Sequence, residues 1–160
     1  MGLGFELAES LSGSFYRLDD ARRDLGIRLS LRLVVDGMRR FVRERRLEVD
    51  GGIVAESLAV GDGNGRPVCG SLSWKLLDEK RIPYDLTFEG DDGRSYRLRG
   101  QRDFFVHDAL QSLTVLPASL YDPGGVEIGR ATLRGGAGPE LRALLKSFRP
   151  RVRVRALTRG

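Results

Sequence analysis

Hydrophobic and polar residues alternate one by one along most of the chain. The pattern is clearest over residues 27–33, 71–76, 85–89 and 95–99. Successive side chains of a β-strand point to opposite faces, so each of these segments has one apolar and one polar face. Antiparallel sheets with one face on a core show this alternation, whereas buried parallel strands are apolar throughout. The sequence therefore predicts an all-β, mainly antiparallel protein.

Glycine-rich polar segments separate the alternating stretches at Gly61–Gly65, Glu89–Gly93 and Asp122–Gly125. Asp92-Gly93 favours a tight hairpin because both residues tolerate positive φ. Strands joined by turns at this spacing indicate a barrel or a sandwich of about eight to ten strands, and the pattern leaves both open. The length of 160 residues is close to the commonest domain size, so we expect a single β-rich domain over residues 1–160.

Three segments depart from the alternation and favour two or three short helices. They span residues 36–46, 107–113 and 138–148. Pro139 and Glu140 suit the first turn of the last segment, which carries an apolar stripe at helical spacing. Residues 146–160 follow as a basic C-terminal strand or tail.

The residue inventory excludes several classes of function. Hydrophobic residues make up 41% of the chain and charged residues 31%, which suffices for one core. A single cysteine (Cys69) and a single histidine (His107) argue against a disulfide scaffold, a Cys/His zinc module and a Ser- or Cys-His hydrolase. The glycine clusters at 61–65 and 135–138 lack a Walker lysine. We therefore predict no catalytic, cofactor-binding or metal-binding residue, and a protein that is not an enzyme.

No apolar run approaches the roughly 20 residues that cross a bilayer, and the N-terminus has no secretory pattern. The expectation is a cytoplasmic protein without a transmembrane segment.

Five segments together resemble a bacterial β-rich accessory domain found beside glucose-methanol-choline oxidoreductases of the cholesterol oxidase type. They are Leu11–Phe15, Gly70–Leu76, Tyr84–Gly93, Tyr96–Gln101 and Leu144–Arg149. The resemblance implies an accessory role beside such an enzyme and brings no catalytic motif with it. A flavin-binding Gly-x-Gly-x-x-Gly is not found in the sequence, so the chain corresponds to the accessory part alone.

Aromatic residues suggest a ligand site inside the fold. A barrel of about eight strands either fills with side chains or holds one small apolar ligand. A filled core is the simpler interpretation, and the resemblance adds lipid or sterol as a ligand class by analogy. The candidate ligand-binding residues are Trp74, Tyr84, Phe88 and Tyr96.

Arginine dominates the charge, with 24 arginines and three lysines in a chain of formal net charge +5. A final strand would present Arg151, Arg153 and Arg155 in one row, which could bind nucleic acid or anionic lipid. A GC-rich genome or a solvated sheet edge explains the same arginines. No RNP-type strand, helix-turn-helix or zinc finger accompanies them, which argues against specific nucleic-acid binding.

Two hypotheses of function follow. The leading one is a non-catalytic accessory or binding domain beside a lipid- or sterol-directed oxidoreductase, acting by protein contact or by holding an apolar small molecule. The alternative is a basic-surface module that binds nucleic acid or anionic lipid through arginine rows. The sequence leaves the oligomeric state open.

Overall fold

A computed structural model describes residues 5–35, 43, 46–73, 75, 81–103 and 115–135 of the chain. These residues form eight β-strands: β1 (Phe5–Arg17), β2 (Asp20–Val35), β3 (Arg46–Ala55), β4 (Arg66–Ser73), β5 (Arg81–Glu89), β6 (Ser95–Asp103), β7 (Val115–Tyr121) and β8 (Glu127–Arg134).

Each strand pairs antiparallel with the next, and β8 returns to pair with β1, so the sheet closes into a barrel. The register of the closing pair runs from Ser12 opposite Arg134 to Arg17 opposite Gly129. The all-β prediction and the lower limit of the expected strand number are confirmed. Closure of the sheet decides in favour of a barrel over a sandwich.

The stagger of the strands fixes the width of the barrel. Starting at Leu7 on β1, register partners lead through every strand in turn and return to β1 at Arg17, ten residues further along. Eight strands with this stagger enclose an interior just wide enough to be filled by side chains or to hold one small ligand.

Inward side chains fill this interior as a continuous hydrophobic cluster. On β5, for example, buried residues alternate with half-buried ones from Ile82 to Phe88. The same period continues through Tyr96 and Leu98 on β6. The alternation in the sequence thus corresponds to the inside and outside of the barrel wall.

The two ends of the barrel differ. At one end the strands are joined by turns at residues 18–19, 56–65, 90–94 and 122–126. The Asp91 carboxylate locks this end by accepting hydrogen bonds from the Val60 and Gly61 amides, both at 2.9 Å, and from Arg66 Nε at 3.1 Å. These bonds lower the pKa of Asp91. The connections 36–45, 74–80 and 104–114 all belong to the opposite end.

The hairpin expected at Asp92-Gly93 is present, but only Gly93 has positive φ, at 77°. The Gly90 amide donates to the Arg94 carbonyl and the Gly93 amide to the Gly90 carbonyl, at 2.8 and 3.0 Å. Asp92 instead accepts from the Arg94 amide at 3.0 Å, so its contribution is a side-chain hydrogen bond rather than an unusual backbone conformation.

The expected helices fall almost entirely outside the described residues. Arg43 is helical, whereas Arg46 begins β3, so the first helix cannot extend to 46 as expected. Residues 107–113 and 138–148 lie outside the described part of the chain. Trp74 and the row of Arg151, Arg153 and Arg155 lie outside it as well. The stretch before Gly61–Gly65 is not one continuous strand: β3 ends at Ala55, and residues 56–58 form a turn.

We expect the substitution Gly100→Ala to destabilise the barrel. A Cβ at this inward position of β6 would lie 2.9 Å from the Ala118 Cβ and closer still to the Pro117 carbonyl oxygen. Overpacking of this kind costs about 1–3 kcal/mol of unfolding free energy, measurable by urea denaturation. Gly52→Ala is the matched control, because the nearest atom to its added Cβ is 3.8 Å away. Equal losses in both variants would contradict the close packing at Gly100.

Candidate functional site

Two oppositely charged residues lie inside the apolar barrel. Glu9 on β1 and Arg102 on β6 are each 2% exposed. Arg102 donates from Nη2 to Oε1 of Glu9, which forms an ion pair between two strands that are not neighbours in the sheet. The pair therefore ties opposite parts of the barrel wall together through the interior.

Tyr84 on β5 completes this polar cluster, which we define as Glu9, Tyr84 and Arg102. Its hydroxyl donates towards both carboxylate oxygens of Glu9, at 3.3 and 3.1 Å. The Arg102 guanidinium carbon lies 5.6 Å from the centre of the Tyr84 ring. Burial raises the pKa of Tyr84 and lowers that of Arg102 to about 10. At neutral pH the cluster therefore consists of a neutral hydroxyl donor and a guanidinium cation around one carboxylate.

The polar cluster lies near the end of the barrel where the connections 74–80 and 104–114 belong. Arg102 is the next-to-last residue of β6, and its register partner Ile82 is the second residue of β5. Since a strand advances about 3.3 Å per residue, Arg102 lies about 3 Å from the end of β6, whereas Tyr84 and Glu9 lie about 10 and 13 Å from the ends of β5 and β1.

Stability alone does not account for the cluster. Removing two charges from water costs several kcal/mol per ion, and replacing a buried ion pair by apolar residues is often neutral or stabilising. A guanidinium and a hydroxyl both direct hydrogens to Glu9, so the cluster holds this carboxylate in an apolar setting.

The aromatic ligand residues expected from the sequence do not form a single site. Tyr84, Phe88 and Tyr96 are all buried in the core. Phe88 and Tyr96 stack with ring centres 5.9 Å apart, and the Tyr96 hydroxyl donates to Asp92 Oδ2 at 2.5 Å in the turn at the opposite end from the polar cluster. Trp74 lies outside the described residues. Their role as ligand-binding residues stays a prediction.

A polar groove of about 1000 Å³ crosses the outer wall of the barrel. Most of its lining side chains come from outward positions of the strands, and five of the described ones are basic while two are acidic. The basic residues are Arg46, Lys75, Arg81, Arg99 and Arg130, and the acidic ones Asp24 and Asp85.

Three small inward residues also lie along this groove. Gly100, Ala118 and Ala131 follow one another as register partners across β6, β7 and β8. These three residues line the groove together with the outward polar side chains.

Arginines in the groove remain accessible although they make ion pairs. Arg99 is 57% exposed, with its Nε 3.8 Å from Asp85, and Arg130 is 58% exposed, with its Nε 2.9 Å from Glu127. Arg130 lowers the pKa of Glu127. Exposed pairs of this kind contribute little to stability, so a partner can compete for these guanidinium groups.

The structure describes the single cysteine but not the single histidine. Cys69 is exposed on the outer wall, and His107 lies outside the described residues. Across the described ranges, no three His, Cys, Asp or Glu side chains are placed to bind a metal ion together. In those ranges there is also no helix with the length and hydropathy needed to cross a membrane.

Sequence reasoning missed Glu9 and Arg102, although a signal was present. Glu9 precedes Leu11 by two residues, and Arg102 follows Leu98 by four, so both have the inward parity of their strands. A charged residue at an inward position must be paired inside. Only the closed barrel shows that these two residues, 93 positions apart, meet each other.

No protein-family model matches the chain, and no curated protein is significantly similar to it. The resemblance to the accessory domain therefore rests on the five segments alone and stays a prediction.

We expect the substitution Arg102→Met to reduce the unfolding free energy by about 3–5 kcal/mol, because it leaves a buried carboxylate without its cation. The double substitution Glu9→Leu with Arg102→Met should recover most of this loss, because it removes both charges. Urea denaturation of the wild type, both single variants and the double variant gives the coupling energy. Additive losses would show that the pair does not couple across the barrel.

Proposed function

We propose that this protein is a non-catalytic accessory module that works beside a lipid- or sterol-directed oxidoreductase and binds an acidic surface of that enzyme through its outer groove. The observation that carries the proposal is the groove itself, a polar depression of about 1000 Å³ with five basic and two acidic side chains among its described lining residues.

The packed interior supports contact on the outer wall. Inward residues form a continuous buried cluster, so the side chains that a partner can contact are those of the outer wall. The groove lining is polar and charged, which suits the polar rim of a protein interface better than a large apolar ligand.

The type of side chain in the groove favours a protein partner over single-stranded nucleic acid. Proteins that bind single strands stack bases on exposed aromatic rings along a basic channel. Among the described lining residues of the groove, the aromatic ones are Tyr16 and Tyr84, and Tyr84 is buried. Excess positive charge attracts an acidic surface and speeds association with it.

The class of partner rests on the resemblance of the five segments to the accessory domain. The hypothesis of an arginine row at Arg151, Arg153 and Arg155 remains the alternative function, and these residues lie outside the described part of the chain.

The test is binding to a glucose-methanol-choline oxidoreductase from the same organism, first by native mass spectrometry and then by isothermal titration calorimetry. Reversing two groove charges, Arg99→Glu with Arg130→Glu, should weaken binding at least about tenfold, and added salt should weaken the wild-type complex.

The matched control is Arg28→Glu, at an exposed position of β2 in a separate depression of about 520 Å³. This variant should bind the enzyme like the wild type. Absence of any complex with such enzymes would refute the proposal. Loss of binding in the Arg28 variant alone would move the interface away from the groove.

A further inference from the structure

We propose that the groove contains a subsite for the phosphoryl group of a small polyol phosphate, formed by Arg99 and Arg130 on the two sides of Ser119. The inference goes beyond the proposed function, because a soluble ester would bind the isolated protein and needs no partner enzyme. It assigns a ligand class to a part of the outer wall whose two arginines are exposed and border a depression of about 1000 Å³.

The two arginines flank one serine on the outer wall. Arg99 on β6, Ser119 on β7 and Arg130 on β8 are successive register partners, and all three line the groove. Neighbouring strands lie about 4.8 Å apart, so the Cα atoms of the two arginines are separated by roughly 10 Å. Arginine has a long side chain whose charged head stays in water, so both guanidinium groups can reach the space over Ser119 from opposite sides.

The Arg99 guanidinium group makes only a weak contact with Asp85. Its Nε lies 3.8 Å from Asp85 Oδ2, which is too far for a hydrogen bond. Arg97 is closer to the same carboxylate, with its Nε 3.2 Å from Oδ1. Asp85 therefore keeps Arg97 as a cation when Arg99 turns to a ligand.

Glu127 shows that an anionic oxygen is favoured beside Arg130. It accepts a hydrogen bond from Arg130 Nε at 2.9 Å and another from the Ser119 hydroxyl, and these bonds lower the pKa of Glu127. Tyr16 is also hydrogen-bonded to Arg130. A guanidinium group has five N–H donors, so Arg130 keeps donors for a second anion while Glu127 stays in place and orients it.

The shape of the anion favours a phosphoryl group over a carboxylate. A carboxylate presents both of its oxygens to one side and fits the fork of one guanidinium group at a time. A phosphoryl group has three acceptor oxygens in a tetrahedral arrangement, so guanidinium groups on opposite sides can both bind it. Its charge of roughly −1.5 to −2 at pH 7 strengthens each of these hydrogen bonds.

Hydroxyl groups beside the two arginines suit the polyol part of the ligand. Ser14 on β1 and Thr132 on β8 are register partners, are exposed and line the groove. Thr132 lies two residues along β8 from Arg130, on the same face of the strand, which is a distance of about 7 Å. A short polyol whose phosphoryl group lies over Ser119 can therefore extend to these hydroxyl groups.

The test titrates glycerol phosphate and glycerate into the isolated wild-type protein at neutral pH and constant ionic strength. The two probes are short polyols that differ in their anionic group. Two-dimensional proton–nitrogen NMR follows the Ser119 amide and the Nε–H groups of Arg99 and Arg130. We expect saturable shifts of these signals, and an affinity for glycerol phosphate at least about tenfold higher than for glycerate.

Two variants locate the subsite. Arg99→Gln removes one guanidinium group without touching the contact between Glu127 and Arg130, and it should weaken glycerol phosphate binding about tenfold. Arg28→Gln is the matched control, because it removes the same charge from an exposed position of β2 in the separate depression of about 520 Å³. Its affinity for glycerol phosphate should equal that of the wild type.

Three outcomes of the titrations would overturn the proposal: equal affinities for the two probes, shifts that do not saturate, or equal weakening in Arg99→Gln and Arg28→Gln. Vesicles that contain phosphatidic acid form a further arm, and binding to them without binding to soluble glycerol phosphate would overturn it too. No enzyme is present in these titrations, so their failure is distinct from failure of the proposed interface.

Discussion

Pairing between β1 and β8 is the constraint on which the other features of this protein depend. It closes the sheet into a barrel. One circuit of register partners around the barrel ends ten residues further along β1, and this stagger sets the width of the interior. Each of the eight described strands then has a partner on both sides, and β8 covers Ser12–Arg17 of β1. All inward side chains therefore point into the same interior. A side chain there must be apolar or must bind a polar partner inside the barrel.

The ion pair of Glu9 and Arg102 is the main exception to an apolar interior. Because the interior is narrow, a long side chain on β6 reaches a carboxylate on β1, and the Tyr84 hydroxyl adds a neutral donor. The turns at the opposite end are locked by hydrogen bonds to Asp91. The polar cluster includes Arg102, the next-to-last residue of β6, at the end where the connection 104–114 begins.

Strands β5 and β6 carry residues of the polar cluster and of the groove on opposite faces. Tyr84 points into the polar cluster while Asp85 lines the groove, and Arg102 is inward while its neighbour Gln101 lines the groove. The two-residue period of a strand makes this separation possible within a few residues. The small inward residues Gly100 and Ala118 also line the groove.

The sequence by itself determined the strand class, most of the turns and the face that each residue occupies. The alternation around Leu86, Leu98 and Ile27 was enough to predict which side chains point inwards, because a strand has only two faces and apolar side chains avoid water. Tertiary structure alone decided that the sheet closes and that Glu9 meets Arg102. Local pattern carries no information on which strands pair at a distance, and a stagger set by all eight strands together decides which inward residues face each other.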